Sequence, residues 1–249
     1  MREIISEKLK EIEEKENVKV LYCAESGSRA WGFASPDSDY DVRFVYIRPK
    51  DFYLRLEPTR DVIEWQVDEV WDINGWDIQK ALRLLYKSNP TLFEWNGSSV
   101  VYKITDEWER VAEIINRYFI KKSGLYHYLS MAKGNYREYL KGEKVRLKKY
   151  LYVLRPILAC KWILSESTPP PMLFSELTEK YLDRSIKEDV EKLLEVKMNS
   201  PEIAYGDRIE SINAYIQTSI SDIENQLESL PYEKERNWEE LNKIFLSMF

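Results

Sequence analysis

The chain has 249 residues, 44% of them apolar, enough for one large domain or two modest ones with a real core. Its net charge of −6 excludes coating of nucleic acid by overall charge and leaves that work to a local basic patch. Two distant cysteines, Cys23 and Cys160, and a single histidine, His127, exclude a disulfide framework, a zinc ribbon and a multi-histidine metal centre.

The opening stretch "MREIISEKLKEIEEKENVKV" is charged and lacks the apolar core of a signal peptide. No apolar run approaches the ~20 residues of a membrane span, so a cytoplasmic protein with no membrane partner is expected. Ile4, Ile5, Leu9 and Ile12 recur at helical spacing and predict a short amphipathic helix that stops at Asn17. Residues 18–23 alternate and are β-branched, which predicts a strand. A loop with Gly27-Ser28 and a short helix follow. Residues 40–47, "YDVRFVYI", read as a second strand, with 61–67 and 69–73 as two more. Residues 75–89 read as a helix. From about residue 104 the periodicity is helical throughout, over 106–121, 124–139, 144–165 and 184–198. A last stripe follows, of Ile209, Ile212, Ile216, Ile220, Ile223 and Leu227. "TPPPM" at 168–172 is a stiff loop. His127 falls on one of these helices and reads as an ordinary helix residue. The sequon at Asn96 is not expected to be used in a cytoplasmic chain. The fold class is therefore α+β: a first domain over 1–104 with strands and flanking helices, then an all-α domain over 105–249.

The chemistry is concentrated in "ESGSRAWGFASPDSDYDVRFVYIRP", residues 25–49. Asp37, Asp39 and Asp41 occupy the first, third and fifth places of a calcium loop. The sixth place, which needs Gly, holds Val42, and the twelfth, which needs Glu, holds Arg48, so calcium is rejected. Acids ahead of a strand are also common as solvated turn residues. A third reading follows from strand geometry. Residues two apart share a face, so Asp39 and Asp41 project together and make a hard-oxygen site suited to Mg²⁺. Pro36 makes a loop at Asp37, which is left out. The Gly27-Ser28 pair allows close backbone approach and offers N–H groups to a phosphate, with Ser28 and Arg29 as further donors. Neither the P-loop nor the GxGxxG pattern is present.

A strand, then Gly-Ser, then about ten residues, then Asp-x-Asp opening the next strand resembles the nucleotidyltransferases of the DNA polymerase β superfamily. The fuller string, with "INGWDIQKALRLLYKSNPTLFEW" and "YLYVLRPILACKWI", resembles the YcgL-like or RlaP-like group linked to RNA repair, over roughly residues 20–175. The resemblance implies transfer of a nucleoside monophosphate from an NTP such as ATP to an acceptor hydroxyl, with release of pyrophosphate. It implies that Gly27 and Ser28 hold the triphosphate, and that Asp39 and Asp41 bind two Mg²⁺ ions, or Mn²⁺ in their place. An RNA 3′ end, a protein or a small molecule is the acceptor. The contrasting reading is a catalytically degenerate nucleotide-binding or antitoxin-like module.

That superfamily normally adds a third acid from a later strand. Asp72, flanked by Trp71 and Ile73, and Asp77, at the start of a helix, are the candidates, with Glu64 behind them. Residues 133–161 are basic and carry interleaved tyrosines. Such a run is often only a solvated face; the functional reading is a helical face that closes over the active site. Spacing of four puts Lys144, Lys148 and Tyr152 on one side of the expected helix, with Lys148 the candidate phosphate contact and Tyr152 a base-stacking ring. Arg155 is flanked by apolar residues and suits an internal ion pair.

Overall fold

The computed structural model describes residues 1–199, 205–231 and 236–249. In chain order the elements are α1 (Arg2–Glu16), β1 (Lys19–Glu25), α2 (Gly27–Trp31), β2 (Tyr40–Ile47), β3 (Val62–Val67), β4 (Trp71–Asp77), α3 (Ile78–Tyr86), α4 (Pro90–Asn96), β5 (Val101–Ile104) and α5 (Asp106–Ile115). They continue with α6 (Lys121–Tyr139), β6 (Lys144–Arg146), α7 (Lys148–Glu166), α8 (Phe174–Tyr181), α9 (Lys187–Asn199), β7 (Tyr205–Asp207), α10 (Glu210–Glu228) and α11 (Glu239–Leu246). The α+β class read from the sequence is what forms, a five-stranded mixed sheet with flanking helices followed by a largely helical second half. None of the described helices is long and apolar enough to cross a membrane.

Two units divide the chain, and not at residue 104. The first comprises Met1–Ala30, Asp39–Tyr118 and 236–249; the second comprises Trp31–Ser38 with the described residues from 119 to 231. The reason is packing. Trp108 of α5 stacks on Tyr22 of β1, with ring centroids 5.0 Å apart, so α5 belongs with the sheet.

The sheet has the order β3-β4-β2-β1-β5, with β2 and β4 parallel and the other neighbours antiparallel. One face is covered by α1. Its buried stripe of Ile5, Leu9 and Ile12 packs with Val20, Cys23, Val42, Phe44, Ile63 and Ile73. Each such side chain contributes roughly 1.5–3 kcal/mol by leaving water. Asn17 ends α1 in the left-handed conformation, φ 50°, as the sequence suggested. Alternation sends the intervening side chains of β2 and β4 to the opposite face, where Trp76 meets Trp95 of α4 at 3.9 Å between rings.

The strand expected over 69–73 runs on to Asp77, and the helix expected from 75 begins at Ile78. Gly75 is the cause. A Cβ there would lie 2.3 Å from the Phe44 ring, so the residue serves sheet packing between β4 and β2 rather than opening a helix. The second half also departs from all-helix. Lys144 lies not on a helix but in β6, which pairs with β7, and its ammonium meets Asp207 at 2.7 Å. It therefore does not share a helix face with Lys148.

Within the second unit α6 packs on α7, and Gly124 admits the ring of Phe119 and the side chain of Ile163. Pro156 sits inside α7 and supplies no N–H, which strips the carbonyl of Tyr152 of its helical donor. The side-chain amide of Asn135 on α6 donates to that carbonyl at 3.3 Å instead. Arg155 is buried and lies 4.5 Å from the ring centroid of Trp31. His127 is an α6 residue set edge-on to Tyr128.

Candidate active site

The site begins where β1 runs out. Glu25, 1% exposed, ends the strand, and its side chain replaces the missing ladder bond to β2. Its Oε1 accepts from the backbone N–H of Asp41 at 2.9 Å, and its Oε2 accepts from the hydroxyl of Tyr102 on β5. Burial pushes the Glu25 carboxyl up, against the pull of Tyr102 and of the Asp41 N–H. Ser98, between α4 and β5, donates to the Glu25 carbonyl at 2.7 Å, and just after β1 the Ser26 N–H donates to the Asp41 carbonyl at 2.8 Å. The backbone of Asp41 is thus fixed on both of its polar groups.

Gly27 then turns the chain with φ +58°, a region that favours glycine. It has a second reason to be glycine: a Cβ built on it would stand 1.9 Å from Oδ2 of Asp41. The backbone of the Gly-Ser turn and the Asp41 carboxylate therefore touch. Ser28 is buried beside it, while Arg29 lies over the ring of Tyr40, 3.9 Å from the centroid, and donates from Nε to the Asp39 carbonyl at 2.9 Å. Asp39 is exposed just ahead of β2.

The parallel register of β2 and β4 sets Asp41 opposite Asp72. One nitrogen of Arg43, two residues along β2, joins them: Nη2 lies 2.8 Å from Oδ1 of Asp41 and 2.6 Å from Oδ2 of Asp72. Nη1 donates to the Asp72 carbonyl at 2.6 Å, and the Asn74 amide reaches the other Asp72 oxygen at 3.2 Å. Burial pushes the Asp41 carboxyl up to about 6; Arg43 opposes this, while Asp39, Asp72 and Glu25 add to it.

Asp77 is elsewhere. It lies five residues beyond Asp72 on β4, roughly 16 Å along an extended strand. Both its oxygens are engaged in structure. One caps α3 through the Gln79 N–H at 2.8 Å, and the other accepts from Tyr53 at 2.8 Å. Glu64 is exposed on β3, a strand further out, beside Arg60 at 3.9 Å. The structure therefore brings together Gly27, Ser28, Asp41 and Asp72, and sets Asp77 and Glu64 apart. Lys148 and Tyr152 belong to the second unit. Lys148 opens α7, and the Tyr152 ring is engaged edge-on with Trp31 at 5.5 Å. Sequence reasoning passed over Arg43, Glu25 and Tyr102. Arg43 was reachable, since it is the next residue of the same strand parity after Asp39 and Asp41.

A mixed sheet with a Gly-Ser turn seated against the second acid of an Asp-x-Asp strand, and a further acid in register on the next strand, is the arrangement of the DNA polymerase β class. The chain belongs to the RlaP family, the RNA repair pathway DNA polymerase beta family, whose model matches residues 1–247. It is also 43% identical, over 99% of its length and 96% of the relative's, to a Bacillus subtilis (strain 168) protein described as uncharacterized protein YcgL.

The donor set fits magnesium. Among the described residues no three acidic, histidine or cysteine side chains close into a cage made of protein alone. Mg²⁺ uses one or two carboxylates and completes its shell with waters and substrate oxygens, which is what Asp41 and Asp72 offer. A cationic group already bridges these two carboxylates, so their oxygens converge on a point that favours positive charge.

Proposed function

We propose that the protein transfers a nucleoside monophosphate from an NTP to an acceptor hydroxyl and releases pyrophosphate. The observation that carries this reading is the register of Asp41 against Asp72 with Gly27 pressed on Asp41. Asp41 and Asp72, joined by Asp39, would hold two Mg²⁺ ions, with Mn²⁺ as a substitute. Such ions, when bound, polarise the phosphate oxygens and neutralise the charge that develops on the leaving group. Gly27 and Ser28 present backbone and hydroxyl donors to the triphosphate, and Arg29 adds charge beside it. Asp72 orients the attacking hydroxyl and takes its proton. The acceptor oxygen bonds to the α-phosphorus as the α–β bridging bond breaks, and pyrophosphate leaves with that electron pair. The RNA repair context of the family supports an RNA 3′ end as acceptor.

The test is incubation with each labelled NTP, Mg²⁺ and a pool of RNA, protein and small-molecule acceptors. Label transfer with pyrophosphate release, lost in Asp41→Asn and in Asp72→Asn, is the expected result. Retained NTP binding with no transfer to any acceptor would overturn the enzyme in favour of a nucleotide-binding module.

A further inference from the structure

Arg43 is held in a way that side-chain packing does not demand. It is 14% exposed, and its guanidinium meets Asp41, Asp72 and the Asp72 carbonyl together. Two half-buried carboxylates set opposite each other on adjacent strands repel, and a single planar fork that bridges them relieves that repulsion. Arg29 is anchored on Tyr40 and the Asp39 carbonyl. The oxygens that Arg43 occupies, Oδ1 of Asp41 and Oδ2 of Asp72, face the point of convergence that a shared divalent ion would need. The remaining oxygens face elsewhere: Oδ2 of Asp41 lies against Gly27, and Oδ1 of Asp72 toward Asn74.

We infer that Arg43 is a built-in counter-cation, a positioning residue that keeps Asp41 and Asp72 paired in the metal-free protein and is displaced when a divalent ion binds between them. This rests on the metal reading of the site given above. Loading is then an exchange of a monovalent for a divalent cation rather than entry into an empty cage. The guanidinium lowers metal affinity while it protects the unloaded pair from mutual repulsion.

Mn²⁺ binding, followed by the electron paramagnetic resonance of the free ion, tests this without any turnover. Arg43→Met is expected to bind Mn²⁺ about tenfold tighter or more, because one positive charge at contact distance has been removed. Arg43→Lys keeps the charge but loses the fork, and is expected to fall between Arg43→Met and the wild type. If Arg43→Met does not fold, Arg43→Lys alone decides, and affinity equal to or weaker than wild type overturns the inference. A second measurement uses the unaltered chain. Mg²⁺ is expected to shift the Arg43 side-chain ¹⁵Nη resonances, identified by their loss in Arg43→Lys; resonances unmoved at saturating Mg²⁺ overturn displacement. Asp41→Asn and Asp72→Asn separate the two ideas. If they lose Mn²⁺ while the Arg43 variants gain none, the metal site stands and the counter-cation falls. If they bind Mn²⁺ as the wild type does, both fall.

Discussion

Gly27→Ala asks whether the turn and the carboxylate are packed as closely as the structure places them. Two costs are separable. The backbone at φ +58° charges an L-residue about 1–2 kcal/mol. The new Cβ, 1.9 Å from Oδ2 of Asp41, forces that carboxylate to retreat by about 1 Å, which pulls Oδ1 from its 2.8 Å bond with Arg43. Loss of a hydrogen bond between charged groups adds about 1.5–3 kcal/mol at most. The sum, roughly 2.5–5 kcal/mol, lowers the melting temperature by about 5–20 °C for a chain of this size. The same substitution in an Asp41→Ala background meets neither Oδ2 nor Cγ, only a Cβ at 3.3 Å, so the backbone cost alone remains. A double-mutant cycle in thermal and urea melts should therefore show coupling of up to about 1.5–3 kcal/mol. Gly27→Asn tolerates the left-handed backbone better but keeps the collision, and should match Gly27→Ala in nucleotidyl transfer, each down about 100-fold for a misplaced carboxylate. An identical cost of Gly27→Ala in both backgrounds would refute the contact.

Asp41→Asn carries a pH signature. Burial holds the folded carboxyl at about 6, against about 3.9 in the unfolded chain, so ionising Asp41 opposes folding. The stability that its protonated form provides is complete below about pH 4 and is lost as pH rises through 6. Urea melts in EDTA should find Asp41→Asn equal to wild type near pH 4, and more stable by up to about 3 kcal/mol at pH 7.5, while transfer is abolished. A variant that is weaker at pH 7.5 would mean that the ion pair with Arg43 outweighs burial. Asp77→Ala removes the α3 cap and the partner of Tyr53, and should cost about 1–3 kcal/mol in the same melts. Its transfer rate should stay near wild type at a temperature where it is folded; loss comparable to Asp72→Asn would restore Asp77 as the third acid.

The strand that carries Asp41 was legible to the residue, because "YDVRFVYI" is rich in β-branched and aromatic residues and one of its faces is covered by α1, whereas Asp39, expected on the same strand face, stands just ahead of the strand. Gly27 was legible as a turn residue, but its contact with Asp41 was not, since the two are fourteen positions apart and meet only through the β1–β2 pairing. The choice between Asp72 and Asp77 turned on where β4 ends. Gly75 reads as a break between strand and helix, while in three dimensions it is a space kept for Phe44. Likewise Asn89, the last residue of the helix expected over 75–89, starts the next helix, its Oδ1 accepting from the Thr91 N–H at 3.0 Å. The strand β6 was hidden because its partner β7 lies about sixty positions away, a pairing that local periodicity does not carry.

The sheet unit is completed by residues 236–249, which come back after the whole helical unit has been traversed. Leu241 of α11 is buried, and Trp238 stacks on Tyr86 of α3 with centroids 3.7 Å apart. On the ribosome, the strands that carry Asp41 and Asp72 are finished long before this last piece is made. At translation rates of about 5–20 residues per second the wait is on the order of ten seconds. During that interval the α3 surface that Trp238 and Leu241 cover stands bare. Assembly order thus leaves the sheet unit incomplete until residues 236–249 have been made.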